Sequence, residues 1–275
     1  MGDTMNYKNL LMTMIGLTFV SLLFASCDTL QPSPASAPDV PTSTPAPEAT
    51  IPISQVETGI DYANVEGLAT KLDGYTPSEE GSWPVVIVAH GMDQSRFKLM
   101  RLAKAIASEG AVVYNIDVAY SFPFITGVER IACAVRFARA TAVDYGGDPS
   151  QIILVGYSAG AVTGAVVGLA GDDFEEGCAV TDASALPDAM VLFEGPYDYT
   201  VKATCVDHTV LEDTDPEVWE AVNPYSHIGR NPDLQVRLLH GDDNDTACYD
   251  ILPQASIDFH QALAEAGYDL SLIHI

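Results

Sequence analysis

Basic residues are scarce in this chain: 12 Lys and Arg stand against 38 Asp and Glu, a formal charge of −26 over 275 residues. So acidic a surface repels nucleic-acid phosphates and anionic lipid headgroups, which excludes both as electrostatic partners. No Cys-x-x-Cys pair and no His/Cys cluster at ligand spacing occurs, so no zinc or other metal site is expected. No apolar run is long enough to span a bilayer. The one near the N-terminus, Leu10 to Ala25, falls short of the roughly 20 residues a spanning helix needs. No internal repeat is present. What the chain does have is hydrophobic residues, 48% of the total, enough for one sizeable core.

The front of the chain is an address rather than a fold. Lys8, the apolar run and the small pair Ala25-Ser26 have the layout of a secretory signal. Cys27 follows at once and resembles the cysteine of a bacterial lipobox, whose sulfur takes a lipid and becomes the mature N-terminus. Residues 28–55, dominated by Pro, Ser, Thr and Ala, cannot bury enough surface to offset their ordering entropy and are expected to be a tether. Residues 1–27 are thus expected to be a signal peptide with a lipidation site. The protein is expected outside the cytoplasm, held to the cell membrane only through that anchor, with plain secretion as the alternative. Cys133, Cys178, Cys205 and Cys248 then permit two disulfides in an oxidising compartment, with three pairings open. Cys178–Cys205 is favoured because both lie in the most loop-like stretch.

From Trp83 onward, short β-branched runs alternate with helical patterns. "PVVIVAH" (84–90) is a continuous apolar run, as in a strand buried on both faces. A helix over 95–110 follows, capped by Ser95 and stopped by Gly110. Strands are expected at 111–118, 151–156, 189–195 and 234–241, and helices at 127–146, 159–171 and within 251–267. Gly160, Gly164 and Gly168 share one helix face, where they permit a close approach to the sheet. Such alternation predicts an α/β fold, its mostly parallel central sheet covered by helices on both faces.

The chemistry concentrates in "IILVGYSAGA". Gly156-Tyr157-Ser158-Ala159-Gly160 matches G-x-S-x-G between a buried strand and a helix. There a sharp turn presents the hydroxyl of Ser158 at the sheet's carboxyl edge, and Gly156 and Gly160 allow strand and helix backbones to meet. A serine nucleophile needs donors for the oxyanion formed on attack. The backbone N–H of Ala159 supplies one; the loop after His90-Gly91 can aim the N–H of Met92 as the other. His90 precedes the nucleophile and is expected to anchor that loop rather than act as base.

The stretches "VVYNIDVAYSFPF" and "VRFARATAVDYGGDPSQIILVGYSAGA", with the turn Gly147-Asp148-Pro149, resemble the α/β-hydrolase superfamily. The likeness is to its serine esterases: dienelactone-hydrolase-like enzymes, carboxylesterases, and feruloyl and acetylxylan esterases. It implies an α/β-hydrolase domain over 56–275 with a lid-like insertion, read onto 171–232, where Tyr197, Tyr199, Trp219 and Tyr225 either line the pocket or pack the insertion. It also implies a triad in the order Ser, acid, His, with no cofactor. The acid follows a late strand, and in "HGDDNDTACYD" Asp245, before Thr246, fits the pattern best, with Asp242, Asp243 and Asp250 as neighbours. A calcium loop is disfavoured there, since regular ligand alternation and a distal Glu are missing.

The base is expected in a loop beyond the last strand. "YDLSLIHI" occupies the place of that strand, which puts His274 one element too early. "LSLIHI" also matches the translation of a transposon end used in sequencing libraries, so residues 270–275 are expected to be adapter-derived and the domain C-terminally incomplete. His208 and His227 are expected at the surface or pocket, and His240 and His260 packed or solvated. The function implied is hydrolysis of small-molecule or polymer-linked carboxylic esters by a serine hydrolase. A non-catalytic, surface-tethered binding module of the same fold, or a lipase or peptidase, is the alternative.

Overall fold

The computed structural model describes residues 51–65, 70–197, 215–241 and 253–274. Cys27, Tyr199, Cys205, His208, Asp242, Asp243, Asp245, Cys248 and Asp250 lie outside them.

Eight strands form one sheet in the order β1-β2-β4-β3-β5-β6-β7-β8. Strands β1 (Ile53–Asp61) and β2 (Lys71–Pro77) pair antiparallel, and β2 joins β4 (Val112–Ile116) antiparallel. From there the ladder is parallel through β3 (Trp83–Ala89), β5 (Gly147–Tyr157), β6 (Ala189–Phe193), β7 (Gln235–His240) and β8 (Asp269–His274). Strand β1 begins at Ile53, inside the stretch 28–55 expected to be tether.

The central strands are buried on both faces, as their unbroken apolar runs require. In β3, Val85, Ile87 and Ala89 enter one core cluster and Val86 and Val88 the other. Strand β5 divides likewise, Ile152 and Leu154 against Ile153 and Val155. Helix α1 (Met100–Ser108) covers the second cluster with Leu102, Ala103 and Ile106. Helices α2 (Ile125–Thr141), α3 (Ala159–Ala170) and α5 (Pro253–Glu265) pack the first; α4 (Pro216–Val222) adds Val222.

Cys133 of α2 is bonded to Cys178, a closure of 45 residues, so the pairing is not Cys178–Cys205. The reason is tertiary: α2 runs directly beneath the segment that follows α3. Three arginines of α2 tie down the same segment through its carbonyl oxygens. Arg130 donates to Glu176, Arg136 to Ala183 and Asp172, and Arg139 to Ser184 and Leu186. Residues 171–188, the first part of the stretch expected to be a lid-like insertion, are thus fixed to the body; residues 198–214 of that stretch lie outside the described residues. Tyr197 is fully buried and stacks on Phe259 at 4.4 Å, and the half-buried Tyr225 meets the same ring edge-on at 5.3 Å, so both rings pack the core. Trp219, half-buried, packs against the same core.

Candidate active site

Parallel strands deliver their carboxyl ends to one edge. His90, Asp117, Ser158, Glu194 and Gly241 each directly follow the end of a parallel strand there. The backbone is unusual at this edge. Asp93, Phe124, Ser158 and Glu194 are the non-glycine residues of positive φ among the described residues, and they follow β3, β4, β5 and β6 in turn. Left-handed geometry is disfavoured for residues with a Cβ and tends to gather at functional sites.

Ser158 stands at φ 54° and ψ −116° between β5 and α3. The turn is possible because its flanks carry no side chain. A Cβ on Gly156 would lie 2.3 Å from the Gly160 carbonyl oxygen, and one on Gly160 would lie 2.6 Å from the oxygens of Ala89 and His90. The ends of β3 and β5 and the start of α3 therefore touch through bare backbone. The Ser158 N–H donates to the Phe193 oxygen at 2.9 Å, and its own carbonyl accepts the N–H groups of Ala161 and Val162. This leaves the Ala159 N–H, first of α3, without a partner among the described residues. The helix N-terminus adds a partial positive charge at that point.

The second loop reaches the serine from β3. A Cβ on Gly91 would stand 3.1 Å from Cβ of Ser158, so the chain passes close against Ser158, and Met92 follows immediately. The Met92 N–H likewise donates to no described residue.

That loop is held at both ends by β4. His90, buried, accepts the Val118 N–H at Nε2 (3.1 Å). A backbone N–H can only donate, so the proton of His90 sits on Nδ1 and is given to the Gly91 oxygen at 2.7 Å. Because carbonyl and N–H of a trans peptide point in opposite directions, fixing the Gly91 oxygen fixes the direction of the Met92 N–H. Burial holds the His90 pKa below the usual imidazole value. The Tyr120 hydroxyl donates to the His90 oxygen at 2.8 Å. At the far end, the Arg96 N–H donates to Asp117 Oδ1 at 2.7 Å, and its guanidinium bridges Asp117 and Asp73. Asp73, Arg96, Asp117 and Tyr120 gave no signal in the sequence, because strand ends and a loop bring them together over long separations.

Of the other described histidines, His227 and His240 are engaged elsewhere. His227 is buried rather than at the surface or pocket, its Nε2 on the Ala221 oxygen at 2.9 Å. His240 is fully buried with Nδ1 2.8 Å from Ser256 Oγ. His260 lies in α5, and His274 closes β8 in register with His240. Among the described residues no side chain hydrogen-bonds the Ser158 hydroxyl. Asp245, which follows β7 in the sequence, falls outside them.

The BD-FAE family model matches residues 72–263. Similar solved structures include a truncated form of a carbohydrate esterase from gut microbiota, 21% identical with TM-score 0.62, over 84% of this chain and 90% of that one. A bifunctional GH43-CE protein of Bacteroides eggerthii is 24% identical, TM-score 0.65, over 81% of this chain and 34% of that one. Esterase 2 of Thermogutta terrifontis, phosphonylated by sarin, is 22% identical, TM-score 0.63, over 80% of this chain and 83% of that one. No curated protein matches in sequence.

Proposed function

Because the chain belongs to the BD-FAE family of esterase-like α/β-hydrolases, we propose that it is a serine hydrolase of carboxylic esters. One observation carries this: the left-handed turn at Ser158 stands at the head of α3, with Gly91 against it. In the mechanism we infer, the Ser158 oxygen attacks the acyl carbon while its proton passes to an imidazole. The N–H groups of Met92 and Ala159 receive the oxyanion; each such donor typically lowers the barrier by about 3–4 kcal/mol. The imidazolium returns the proton to the leaving alcohol, and water then releases the acid from the acyl-enzyme. Asp245 orients the imidazole, which we assign to a histidine in the loop following β8. The neighbour phosphonylated by sarin supports the reading of an activated nucleophile in this fold.

No group outside the protein is required, and small or polymer-linked esters fit the scheme. The site is carried outside the cytoplasm on a lipid at Cys27 and a Pro-rich tether.

The test is hydrolysis of p-nitrophenyl acetate by two chains, one ending at Ile275 and one continued through the genomic sequence. The continued chain is expected to turn over and to lose activity on Ser158→Ala; the shorter one is expected to be nearly inert. Turnover indifferent to Ser158→Ala overturns the proposal. Robust Ser158-dependent turnover by the shorter chain reassigns the base to a histidine it already contains.

A further inference from the structure

Tyr157 and Phe193 are partners across β5 and β6, and the Ser158 N–H donates to the Phe193 oxygen. The next residue of each strand is therefore a neighbour at the sheet edge, where strands stand about 4.8 Å apart. Those residues are Ser158, φ 54°, and Glu194, φ 48°. The two strands end side by side in the same strained backbone.

Glycine takes such a conformation freely, yet Gly195 comes one position later, and the strained position carries a carboxylate. Its backbone is fixed from both sides, since the Glu194 N–H donates to the Leu239 oxygen at 3.0 Å. Its side chain is half-buried and makes no hydrogen bond or ion pair among the described residues. Arg96, which begins the turn after the oxyanion loop, is already held between Asp73 and Asp117. The other charged residue of left-handed backbone here, Asp93, is also an acid. An acid that orients a base is itself gripped by donors. One without partners among the described residues, beside the nucleophile, is offered to whatever enters the site.

We propose that Glu194 is a specificity-determining residue, whose charge beside Ser158 admits esters neutral or cationic near the reacting carbon and turns away anionic ones. Discrimination here works by repulsion, like charge meeting like charge where water is partly excluded. The proposal rests on Ser158 being the nucleophile.

The test separates the two ideas by needing no turnover. In a Ser158→Cys background the thiol is alkylated with neutral iodoacetamide or anionic iodoacetate, and modification at position 158 is followed by peptide mass spectrometry. Removing the charge with Glu194→Gln is expected to raise the iodoacetate-to-iodoacetamide rate ratio by about 3- to 10-fold at low salt, the gain shrinking as salt screens it. Glu194→Asp, which keeps the charge, stays near the parent ratio. Glu194→Gly gives the same rise as Gln while relieving the backbone, which guards against a folding artefact. A ratio unmoved by both Gln and Gly overturns the role of Glu194, even if Ser158-dependent ester hydrolysis is intact. Loss of the esterase reading shows instead as hydrolysis indifferent to Ser158→Ala.

Discussion

The imidazole of His90 accepts the backbone N–H of Val118 at 3.1 Å, and that contact settles what the ring does. With Nε2 filled and Nδ1–H given to the Gly91 oxygen, His90 has no lone pair left for a proton from Ser158. His90→Ala leaves a buried N–H unpaired and is expected to cost about 1–3 kcal/mol in urea unfolding. Under the proposed mechanism it also lowers kcat more than it changes KM, since the oxyanion donor it aims acts in the transition state.

Burial lowers the His90 pKa, so the unfolded chain takes up a proton there before the folded one does. The stability tied to this ring is complete above the unfolded imidazole value of about 6.5 and is lost as pH falls from there through the folded value. Urea midpoints between pH 8 and pH 5 should show that decline, and His90→Ala should remove its share of it.

Gly160→Ala places a methyl carbon 2.6 Å from two backbone oxygens that have no side chain to yield. The expected loss is about 1–3 kcal/mol or more, with the turn at Ser158 displaced. Gly164→Ala meets only leucine side chains, the nearest at 3.3 Å, and should be tolerated far better. Equal effects from the two substitutions would contradict the close contact at the head of α3.

Non-reducing peptide mapping is expected to recover a Cys133–Cys178 linkage. Cys133→Ser opens a closure of 45 residues and should lower stability by about 2–4 kcal/mol. A Cys178–Cys205 peptide in the native protein would refute this.

Cys27→Ala should shift the protein from the membrane fraction to the soluble fraction of the cell envelope, and abolish incorporation of labelled fatty acid. Unchanged membrane association would remove the lipid anchor from the proposal.

The parallel part of the fold was legible because strands buried on both faces read as unbroken apolar runs, and α1 and α3 carry helical spacing, although α1 begins at Met100 after a 3-10 turn and Ser95 makes no capping hydrogen bond. Strands β1 and β2 were not. Their sequences, "ISQVETGID" and "KLDGYTP", contain polar residues, Gly and Pro and show no clean alternation. Tertiary pairing makes them strands, β2 against β4 and β1 against β2. The α2 arginines were equally opaque, since a buried guanidinium is tolerated only when carbonyl oxygens arrive to meet it, and those oxygens come from a segment over 30 residues on.

By itself the sequence determined the turn at Ser158, because G-x-S-x-G after an apolar run is a local demand: two missing side chains and one sharp bend. Contacts between distant residues were beyond it. The Cys133 partner, the anchoring of the Gly91 loop by His90, Asp117 and Arg96, and the place of Glu194 beside Ser158 depend on which strands lie next to one another. Strand order is set by the packing of the whole sheet, where residues far apart in the chain compete to bury the same surface, and no local pattern encodes the outcome.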